Sequence, residues 1–528
     1  MNDSIKYYIF RNQTVEPLLG EEGFAYSGYG DISVIPEEVS RYIWFYQVPF
    51  NADSRQLAAE TATYADKLRY VVEHTHGREL WIMTLVNLFR LRLTGTDKLV
   101  DDAVAKFNSE AWRMAKEHSN VRVIDFTEFT SRYAEEELVS WKYYFMSQTQ
   151  LSFKLAKDFA AWFSRKEEEI LLKRKKCLVV DLDNTLWGGT LDENGPSGIE
   201  IGGDYPGNAY LLWQQSLLEL EKTGVILAVC SKNNEEYVME VWDKNPFCVL
   251  RQEHFSAWRI NWRDKATNLR ELSAELNIGL DSMVFVDDNP AERELVRQAL
   301  PMVAVPDFPR KPFDLMPFFR DLAYRYFRIY DTTYDDLNKT SQYKSNALRN
   351  AEKSNFSDMT AYLRSLGMEI EVMPADEYNI SRIAQMTQKT NQYNLTTRRM
   401  TEQEIRECMA DGWRIYCINV CDRFGDCGIS GAVFITGDCH IDNLLMSCRI
   451  LGRGIEAAFV KFVLNRLRQE GIKRVTAAYV ASARNMQTAC FYDSLGFVTS
   501  ASEDNIKKYI IDLTRDFPID DFYKIKMK

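Results

Sequence analysis

Along the first third of the chain, continuous apolar runs alternate with segments whose apolar residues recur at helical spacing. This alternation predicts strands that alternate with helices. Runs of neighbouring apolar residues predict strands at RYIWFYQVPF, LWIMTLVN and VRVIDF. Between them, ADSRQLAAETATYADKLRYVVEHT repeats its apolar residues at helical spacing. The helical run LAKDFAAWFSRKEEEILLKRKK closes this region. Residues 1–172 are therefore predicted to form an α/β domain.

The pattern continues with shorter, more apolar strands in a second region, residues 173–310. It opens with KCLVVDLDNT, and the runs GVILAVCS, SMVFVDD and MVAVP follow at intervals filled by helices. Such alternation predicts a doubly wound parallel sheet. A proline-containing stretch, PDFPRKPFDLMPFF, then begins a helical linker over 311–365, and strands, hairpin turns and two helices predict a mixed sheet over 366–528. The fold class is thus predicted to be α/β with three domains.

Composition and charge exclude several classes of protein. The chain has 528 residues, more than one core usually spans, and its net charge of −11 argues against a protein that coats nucleic acid. The start, MNDSIKYYIFRNQ, lacks the apolar core of a secretory signal, and no apolar run approaches the ~20 residues of a membrane span. We therefore expect a cytoplasmic protein without a membrane partner.

The ten cysteines are expected to be reduced thiols rather than disulfides. A zinc site at Cys417, Cys421, Cys427 and Cys439 is conceivable from their clustering. However, the first two lie at even spacing in the strand-like run WRIYCINVC, which favours buried strand thiols.

The clearest chemical signal is DLDNT, which directly follows a β-branched run. A strand that ends at Asp181 places this carboxylate at the carboxyl edge of a parallel sheet, where such sheets bind ligands. Asp181 is predicted to attack phosphorus as a nucleophile. Asp183, two residues later, is predicted to protonate the leaving oxygen and then to activate water.

Three further groups fit the same chemistry in chain order. Ser231 ends the strand GVILAVC and is predicted to donate to a phosphate oxygen, and Lys265 is predicted to neutralise charge on phosphorus. A phosphate and a carboxylate repel each other, so a Mg²⁺ ion is expected between them. The predicted metal ligands are the two acids of DLDNT, Asp181 and Asp183, and the two acids of MVFVDDNP, Asp287 and Asp288.

These segments resemble the FkbH-like family of the haloacid dehalogenase (HAD) superfamily. The resemblance rests on KCLVVDLDNTLWGGTLDENG, VCSKNNEEYVMEVW and INWRDKATNLRELSAELNIGLDSMVFVDDNPAERELVRQ. It continues through TNQYNLTTRRMTEQEI and MSCRILGRGIE. It implies a HAD domain without a large cap. It also implies removal of phosphate from 1,3-bisphosphoglycerate and transfer of the glyceryl group to the phosphopantetheine thiol of an acyl carrier protein.

Transfer to a thiol carrier through an enzyme thioester requires a protein nucleophile, and Cys230 is the first candidate. It stands beside Ser231, where Lys232 and a bound Mg²⁺ are expected to lower the pKa of the thiol. The alternative is an apolar residue at the end of a buried strand, and both interpretations stay open here. Cys177, at the far end of its strand from Asp181, is the poorer choice.

The third region carries a separate signal, RILGRG, which matches the R/Q-x-x-G-x-G/A loop of the GNAT acyltransferase fold. Glycines before a helix allow backbone amides to approach a phosphate closely. The predicted binding residues for phosphopantetheine or CoA are Arg449, Gly452, Arg453, Gly454 and Asn485, and Tyr492 is the predicted general acid toward a departing thiolate. A tight turn with a packed tyrosine is the alternative.

The charge around this loop favours an acidic carrier as partner. Residues 449–474 contain seven basic and two acidic side chains in a chain whose net charge is negative. Such a face would attract an acidic carrier protein. An ordinary solvated helix surface remains the alternative for the more distant members.

The first region resembles the SGNH-hydrolase-like domain of the same family, without its catalytic residues. RNQTVEPLL occupies the place of the serine nucleophile, and SWKYYFMSQ lacks an Asp-x-x-His pair. His74, His76 and His118 have no recognisable partner, and Trp44, Phe45 and Tyr46 are predicted to be core residues. This domain is predicted to be a non-catalytic scaffold or docking surface.

Two other functions remain open from the sequence. The first is a small-molecule phosphatase fused to an acyl-CoA-dependent N-acyltransferase of surface-glycan synthesis. The second is a carrier-docking scaffold with inactive sites, against which the complete set Asp181, Asp183, Lys265 and Asp288 argues.

Overall fold

The structure is a computed structural model of the chain. It describes residues 5–528 except 90, 92, 197, 333–344, 346–348, 350–351, 353–355, 391, 448–449, 483 and 504. The chain divides into two compact units, residues 1–170 and 171–528. No helix within the described residues has the length and apolar character needed to cross a membrane.

The first unit contains a parallel sheet of five strands in the order β2-β1-β3-β4-β5. The strands are β1 Tyr7–Arg11, β2 Phe24–Tyr29, β3 Arg41–Phe45, β4 Glu79–Met83 and β5 Val121–Ile124. The helices are α1 Glu16–Leu19, α2 Ser54–His74, α3 Leu99–Glu117, α4 Thr127–Thr130, α5 Glu135–Leu138, α6 Trp141–Ser147 and α7 Ala156–Ile170. The three predicted strands are β3, β4 and β5, and the two predicted helices are α2 and α7.

The aromatic residues at the end of β3 form the centre of this unit's core. Trp44, Phe45 and Tyr46 are fully buried, which confirms the prediction that they are core residues. The predicted helix after β3 begins where Asp53 accepts hydrogen bonds from the amides of Arg55 and Gln56, an ordinary N-cap.

The second unit begins with a parallel sheet of four strands in the order β8-β7-β6-β9. The strands are β6 Cys177–Val180, β7 Ile226–Ser231, β8 Ala257–Ile260 and β9 Met283–Val286. The helices are α8 Leu191–Asn194, α9 Gly207–Lys222, α10 Glu235–Lys244, α11 Lys265–Leu276, α12 Pro290–Ala299 and α13 Leu315–Leu322. The run MVAVP forms only a single bridge, between Ala304 and Val284, rather than the predicted strand.

Helix α13 belongs to the segment predicted as a linker, and it packs against the four-stranded sheet's own helices. The Trp213 ring of α9 lies 5.9 Å from the rings of Phe318 and Phe319. Further along this segment, only 345, 349, 352 and 356–365 of residues 333–365 lie within the described part of the chain.

The remainder of the unit is a mixed sheet of eight strands in the order β15-β16-β14-β13-β12-β11-β10-β17. The strands are β10 Glu369–Pro374, β11 Arg414–Asp422, β12 Gly425–Ile435, β13 His440–Met446, β14 Arg474–Val480, β15 Val498–Glu503, β16 Ile506–Asp512 and β17 Lys524–Met527. The helices are α14 Met359–Ser365, α15 Ile380–Lys389, α16 Glu402–Ala410, α17 Ile455–Gln469 and α18 Phe491–Ser494. Two parallel sheets and one mixed sheet confirm the α/β fold class.

The possible zinc ligands on β11 are strand residues, as the spacing predicts. Cys417 is buried, and its burial raises the pKa of the thiol to about 12. A protonated thiol of this kind packs as a small apolar side chain.

Candidate active site

Three carboxylates meet where the central strands of the four-stranded sheet end. Asp181 follows β6, and Asp287 and Asp288 follow the neighbouring strand β9. The Asp181 amide donates to the Val286 carbonyl at 3.0 Å, which continues the pairing of the two strands past their ends. Ligand oxygens of Asp181, Asp287 and Asp288 all lie within 4.8 Å of one another.

This arrangement suits a divalent cation bound by oxygen atoms. Asp181 and Asp287 are buried, and the Asp181 Oδ1 atom lies 3.0 Å from Lys265 Nζ. Burial and the neighbouring Asp181 carboxylate raise the pKa of Asp287, and the same two causes raise the pKa of Asp288 to about 6. Three acids beside one lysine leave negative charge that a Mg²⁺ ion would offset, so the residues present fit this ion.

The lysine of the site, Lys265, contacts two of the three carboxylates directly. It is the first residue of α11, whose start is fixed by Asp264 accepting from the Thr267 amide at 2.8 Å. Its Nζ lies 3.0 Å from Asp181 and 2.5 Å from Asp287. Burial alone would lower the pKa of Lys265, but these carboxylates outweigh it and the pKa is raised. Lys265 is therefore charged and directed at the predicted nucleophile.

The second acid of the pair is held apart from the other three. The Asp183 carboxylate accepts hydrogen bonds from Trp187 Nε1 at 2.9 Å, Asn233 Nδ2 at 3.0 Å and the Leu191 amide at 3.3 Å. Its carboxylate does not belong to the clustered group, in contrast to its place among the predicted metal ligands. Burial raises the pKa of Asp183, which favours a carboxyl group that can deliver a proton.

Ser231 and Cys230 end β7 and face opposite sides of the sheet, because side chains alternate along a strand. Cys230 packs in a core cluster with Cys177, Val179 and Ala228. Burial raises the pKa of Cys230 to about 12, and Lys232 forms an ion pair with Glu292 at 2.6 Å. The expected lowering of the thiol pKa is therefore not found, and the geometry favours the apolar alternative.

Ser231 is 1% exposed and lies at the same sheet edge as the acids. Its carbonyl accepts from the Asn261 amide at 3.1 Å, which ties the ends of β7 and β8 together. The structure thus brings Asp181, Asp183, Ser231, Lys265, Asp287 and Asp288 to the carboxyl ends of adjacent strands.

Four residues that support this site were not predicted from the sequence. Trp187 and Asn233 orient Asp183, as described above. The Thr185 hydroxyl accepts from the Asp288 amide at 3.2 Å. The buried Arg293 donates from Nη1 to the carbonyls of Asp287 and Asp288, both at 2.7 Å. In the sequence, Asn233 is marked only by its position shortly after Ser231, and Arg293 only by its position shortly after Asp288.

The predicted phosphate loop of the mixed sheet lies between β13 and α17. Gly452 has φ +77° with open space around it, and Gly454, the N-cap of α17, has φ +71°. A side chain at Gly454 would collide with the Tyr523 hydroxyl, which donates to the Arg453 carbonyl at 2.6 Å. The predicted ligand Arg449 falls outside the described residues.

Arg453 is buried rather than presented to a partner. Its Nη1 lies 2.9 Å from Asp422, which also accepts from Arg349 Nε at 2.7 Å. The basic side chains of Arg466, Arg468 and Arg474 likewise pair with acids near them. Local ion pairs therefore offset the positive face that the sequence predicts, which leaves less charge to attract an acidic carrier.

Asn485 and Tyr492, the other two residues predicted to act on the thiol ligand, are both buried. The Asn485 amide donates to the carbonyls of Asn394 and Val480, both at 2.9 Å, so it bonds to the chain itself. The Tyr492 hydroxyl has no hydrogen-bond partner in the described part of the chain, and burial raises its pKa. Tyr492 keeps its proton, as a general acid must before it acts.

In the first unit, amide side chains occupy the place of the missing serine nucleophile. Asn12 Nδ2 donates to the Gln47 carbonyl at 2.7 Å, and Asn12 Oδ1 accepts from the Gln47 amide at 3.0 Å. The partly buried His74 forms a hydrogen bond through Nδ1 with the Tyr70 carbonyl of its own helix. These contacts hold the ends of strands together and supply no nucleophile.

Comparisons with known proteins agree with this geometry. Residues 176–326 match the family model of NLI interacting factor-like phosphatases. The N-terminal part of protein BF1531 from Bacteroides fragilis, containing a phosphatase domain complexed with Mg, is 24% identical with a TM-score of 0.51, and the match covers 62% of this chain and 94% of that chain. A mutant of spermidine N-acetyltransferase SpeG from Vibrio cholerae is 12% identical with a TM-score of 0.22, over 28% of this chain and 94% of that chain. No curated protein matches the chain. The region from 176 to 326 is thus similar in sequence to NLI interacting factor-like phosphatases.

Proposed function

We propose that this protein is a Mg²⁺-dependent phosphotransferase of the HAD type that transfers phosphate to Asp181. The observation that carries the proposal is the cluster of Asp181, Asp287, Asp288 and Lys265, beside a separately held Asp183. The Mg complexed with the Bacteroides fragilis phosphatase domain supports the choice of metal.

The reaction divides into two steps on this chain's own residues. The Asp181 carboxylate attacks phosphorus while Asp183 gives its proton to the leaving oxygen, which yields an aspartyl phosphate and the free alcohol or acid. Asp183 then removes a proton from water, and the resulting hydroxide attacks phosphorus and releases inorganic phosphate and Asp181. Ser231 and Lys265 hold the phosphate oxygens in both steps. A Mg²⁺ ion held by Asp181, Asp287 and Asp288 supplies positive charge that lets a phosphate approach a carboxylate.

The substrate that we propose is 1,3-bisphosphoglycerate, in the cytoplasm. Asp181 first takes the phosphate ester from C3; the phosphopantetheine thiol of an acyl carrier protein then attacks the acyl phosphate at C1, which forms the glyceryl thioester and releases inorganic phosphate. The resemblance of the sequence to the FkbH-like family supports this choice. The access to the site is compatible with it, because the described residues between Leu186 and α9 form the Gly188–Glu200 pairing and the short helix α8 and no further helix or strand. A large substrate therefore meets no cap domain there.

A second candidate is a phosphatase joined to an acyl-CoA-dependent N-acyltransferase. One observation favours it: β13 and β14 are parallel and pair over only two register positions, and a glycine loop leads from β13 into α17, which precedes β14. Under this candidate the two activities share a chain and no intermediate. The inactive-scaffold alternative receives no support from a site whose acids and lysine are all in place.

The experiment incubates the protein with 1,3-bisphosphoglycerate, Mg²⁺ and a phosphopantetheine-bearing carrier protein. Phosphate release and the mass of the carrier are measured together. We expect both phosphate and a glyceryl adduct with the native chain, and neither with Asp181→Asn. The exposed Asp192→Asn on α8 is the matched control and keeps both. Phosphate without an adduct would support the second candidate instead.

A further inference from the structure

An ion pair joins the loop after β7 to the first turn of α12, beside the candidate active site. Lys232 directly follows Ser231, and its Nζ lies 2.6 Å from Glu292 Oε1. In the sheet order β8-β7-β6-β9, the strand that leads to Asp181 lies between β7 and β9. The pair therefore spans from one neighbour of β6 to the other, past the strand end that carries the proposed nucleophile. We call it the spanning pair.

The spanning pair lies close to the acids of the site. The pKa of the Cys230 thiol, at the end of β7, is raised first by burial and further by carboxylates that include Asp181 and Glu292. Because such electrostatic effects fade with distance, Glu292 and the proposed nucleophile both lie near this one sulfur atom. A molecule that places its phosphate at Asp181 therefore has the spanning pair beside it.

Both neighbours of Lys232 in the chain contribute to the site. Ser231 is buried at the sheet edge that carries the acids, and Asn233 donates to the Asp183 carboxylate at 3.0 Å. The Lys232 side chain is 35% exposed, whereas that of Lys265 is 3% exposed. Lys265 is thus enclosed among the acids, and Lys232 remains accessible to a molecule that enters.

The spanning pair leaves hydrogen-bonding capacity on its lysine. An ammonium group has three N–H donors, and Lys232 uses one of them, on Glu292, in the described part of the chain. Arg259 on the neighbouring strand β8 is instead held by two carboxylates of α11, those of Glu271 and Glu275. Lys232 can therefore keep its partner and still donate to a further group.

We propose that Lys232 is a specificity-determining residue that binds a second anionic group of the substrate while the phosphate ester lies at Asp181. The inference rests on the proposed function for the phosphate chemistry. In 1,3-bisphosphoglycerate this second group is the acyl phosphate at C1, and in 3-phosphoglycerate it is a carboxylate at the same carbon. The remaining donors of Lys232 form charge-assisted hydrogen bonds with its oxygens. Glu292 holds Lys232 in place and offsets its charge until such a group arrives.

Two phosphate esters that differ only at C1 test this role. 3-Phosphoglycerate ends in a carboxylate, and glycerol 3-phosphate ends in a neutral alcohol. The native chain should show a KM at least about tenfold lower for 3-phosphoglycerate, because a hydrogen bond between charged groups discriminates by about this factor. In Lys232→Met this KM should rise at least about tenfold at a similar kcat, with the kinetics of glycerol 3-phosphate unchanged. Lys232→Arg keeps the charge and should recover most of the preference.

Two controls separate the charge of Lys232 from a purely structural role of the spanning pair. Lys244→Met removes a lysine of α10 that pairs with Glu240 at 2.9 Å, and both KM values should stay native. Glu292→Gln breaks the ion pair but keeps Lys232, so the preference for 3-phosphoglycerate should be at least as large as in the native chain. An equal loss of preference in Glu292→Gln and Lys232→Met would show a structural bridge and overturn the proposal. Equal KM values of the native chain for the two esters would also overturn it.

Calorimetric titration without turnover distinguishes this inference from the proposed function. With Mg²⁺ and Asp181→Asn as the background, addition of Lys232→Met should weaken the binding of 3-phosphoglycerate at least about tenfold. If binding weakens in this way but the native chain releases phosphate from neither ester, Lys232 binds an anion and the proposed phosphate transfer is wrong. If phosphate is released and binding does not depend on Lys232, the proposed function stands and the specificity role is overturned. A native chain that neither binds nor hydrolyses 3-phosphoglycerate would overturn both.

Discussion

Replacing Lys265 by methionine tests the electrostatics of the site, because it removes the cation that pairs with the Asp181 and Asp287 carboxylates. The Nζ lies 3.0 Å from Asp181 and 2.5 Å from Asp287, and the side chain is 3% exposed. Breaking a buried ion pair by removing one partner usually costs about 3–5 kcal/mol. We expect the lower end, about 3 kcal/mol, because a proton taken up by Asp287 relieves part of the repulsion. Phosphate release should fall by about 10²- to 10³-fold, as for the loss of a group that stabilises transition-state charge.

The chain has two units, so unfolding of the whole chain does not give a single free energy. The free energy of unfolding should therefore be measured locally, in the four-stranded sheet. Hydrogen exchange of peptides that contain β6 and β9 gives this quantity at pH 7.5 without metal. Lys232→Met is the matched control: Lys232 is partly exposed and pairs with Glu292, so its loss should cost no more than about 1 kcal/mol. Mg²⁺ should stabilise Lys265→Met more than the native chain. Equal stability of the two lysine variants would refute the reasoning.

Three further predictions concern the support of the metal site and the loop of the mixed sheet. Arg293→Gln should raise the Mg²⁺ concentration for half-maximal phosphate release about tenfold with a similar rate at saturation, and Arg293→Lys should recover part of the affinity, because Arg293 holds the carbonyls of Asp287 and Asp288. A normal Mg²⁺ dependence of Arg293→Gln would remove this role. In the metal-free protein, the pKa of Asp288 is raised to about 6, so folding takes up a proton and this group's contribution to stability falls as the pH rises from about 4 to about 6. Mg²⁺ should consequently raise the melting temperature more at pH 8 than at pH 5, and an equal rise at both values would contradict this assignment. Gly454→Val should lower the stability of the mixed sheet by more than about 1 kcal/mol, because φ is +71° and Tyr523 fills the space, while phosphate release stays unchanged. A thermal melt and a phosphate assay on the same sample check both parts, and a native melt would show that the loop tolerates the side chain.

The sequence predicts those strands whose apolar residues are contiguous. The continuous apolar runs LVV before Asp181 and VFV before Asp287 are typical of buried parallel strands. The position of the acids at the carboxyl ends of these strands could therefore be predicted. β8 was missed because AWRI has only two buried positions, and its arginine pairs with Glu271 at the surface. Local pattern alone does not distinguish such a strand from a loop.

The orientation of Cys230 was within reach of the sequence, whereas the burial of Arg453 was not. Alternation along β7 places Cys230 on the opposite face from Ser231, which already argues against a shared site. Arg453, by contrast, is neutralised by Asp422, thirty-one positions earlier in the chain and at the end of β11. Such a contact depends on the tertiary arrangement of the mixed sheet, and no spacing rule reveals it.

The position of Tyr393–Leu395 shows the same limit. TNQYNLTTRR carries resemblance to a family, but neither its polarity nor its length indicates that Tyr393–Leu395 would bond to two strands. That position exists because β13 and β14 diverge, and divergence is a property of the folded sheet. The chemical groups of the active site can thus be predicted from the sequence, whereas the backbone contacts of Tyr393–Leu395 cannot.

Trapping the phosphorylated enzyme tests the central claim most directly. Asp183→Asn should still allow attack by Asp181 on acetyl phosphate with Mg²⁺ but should slow hydrolysis, because the base that activates water is missing. Peptide mass spectrometry of this variant should then show one phosphoryl group on the peptide that contains Asp181, and Asp181→Asn with Asp183→Asn should show none. A phosphoryl group on any other residue, or undiminished phosphate release by Asp181→Asn, would contradict the account.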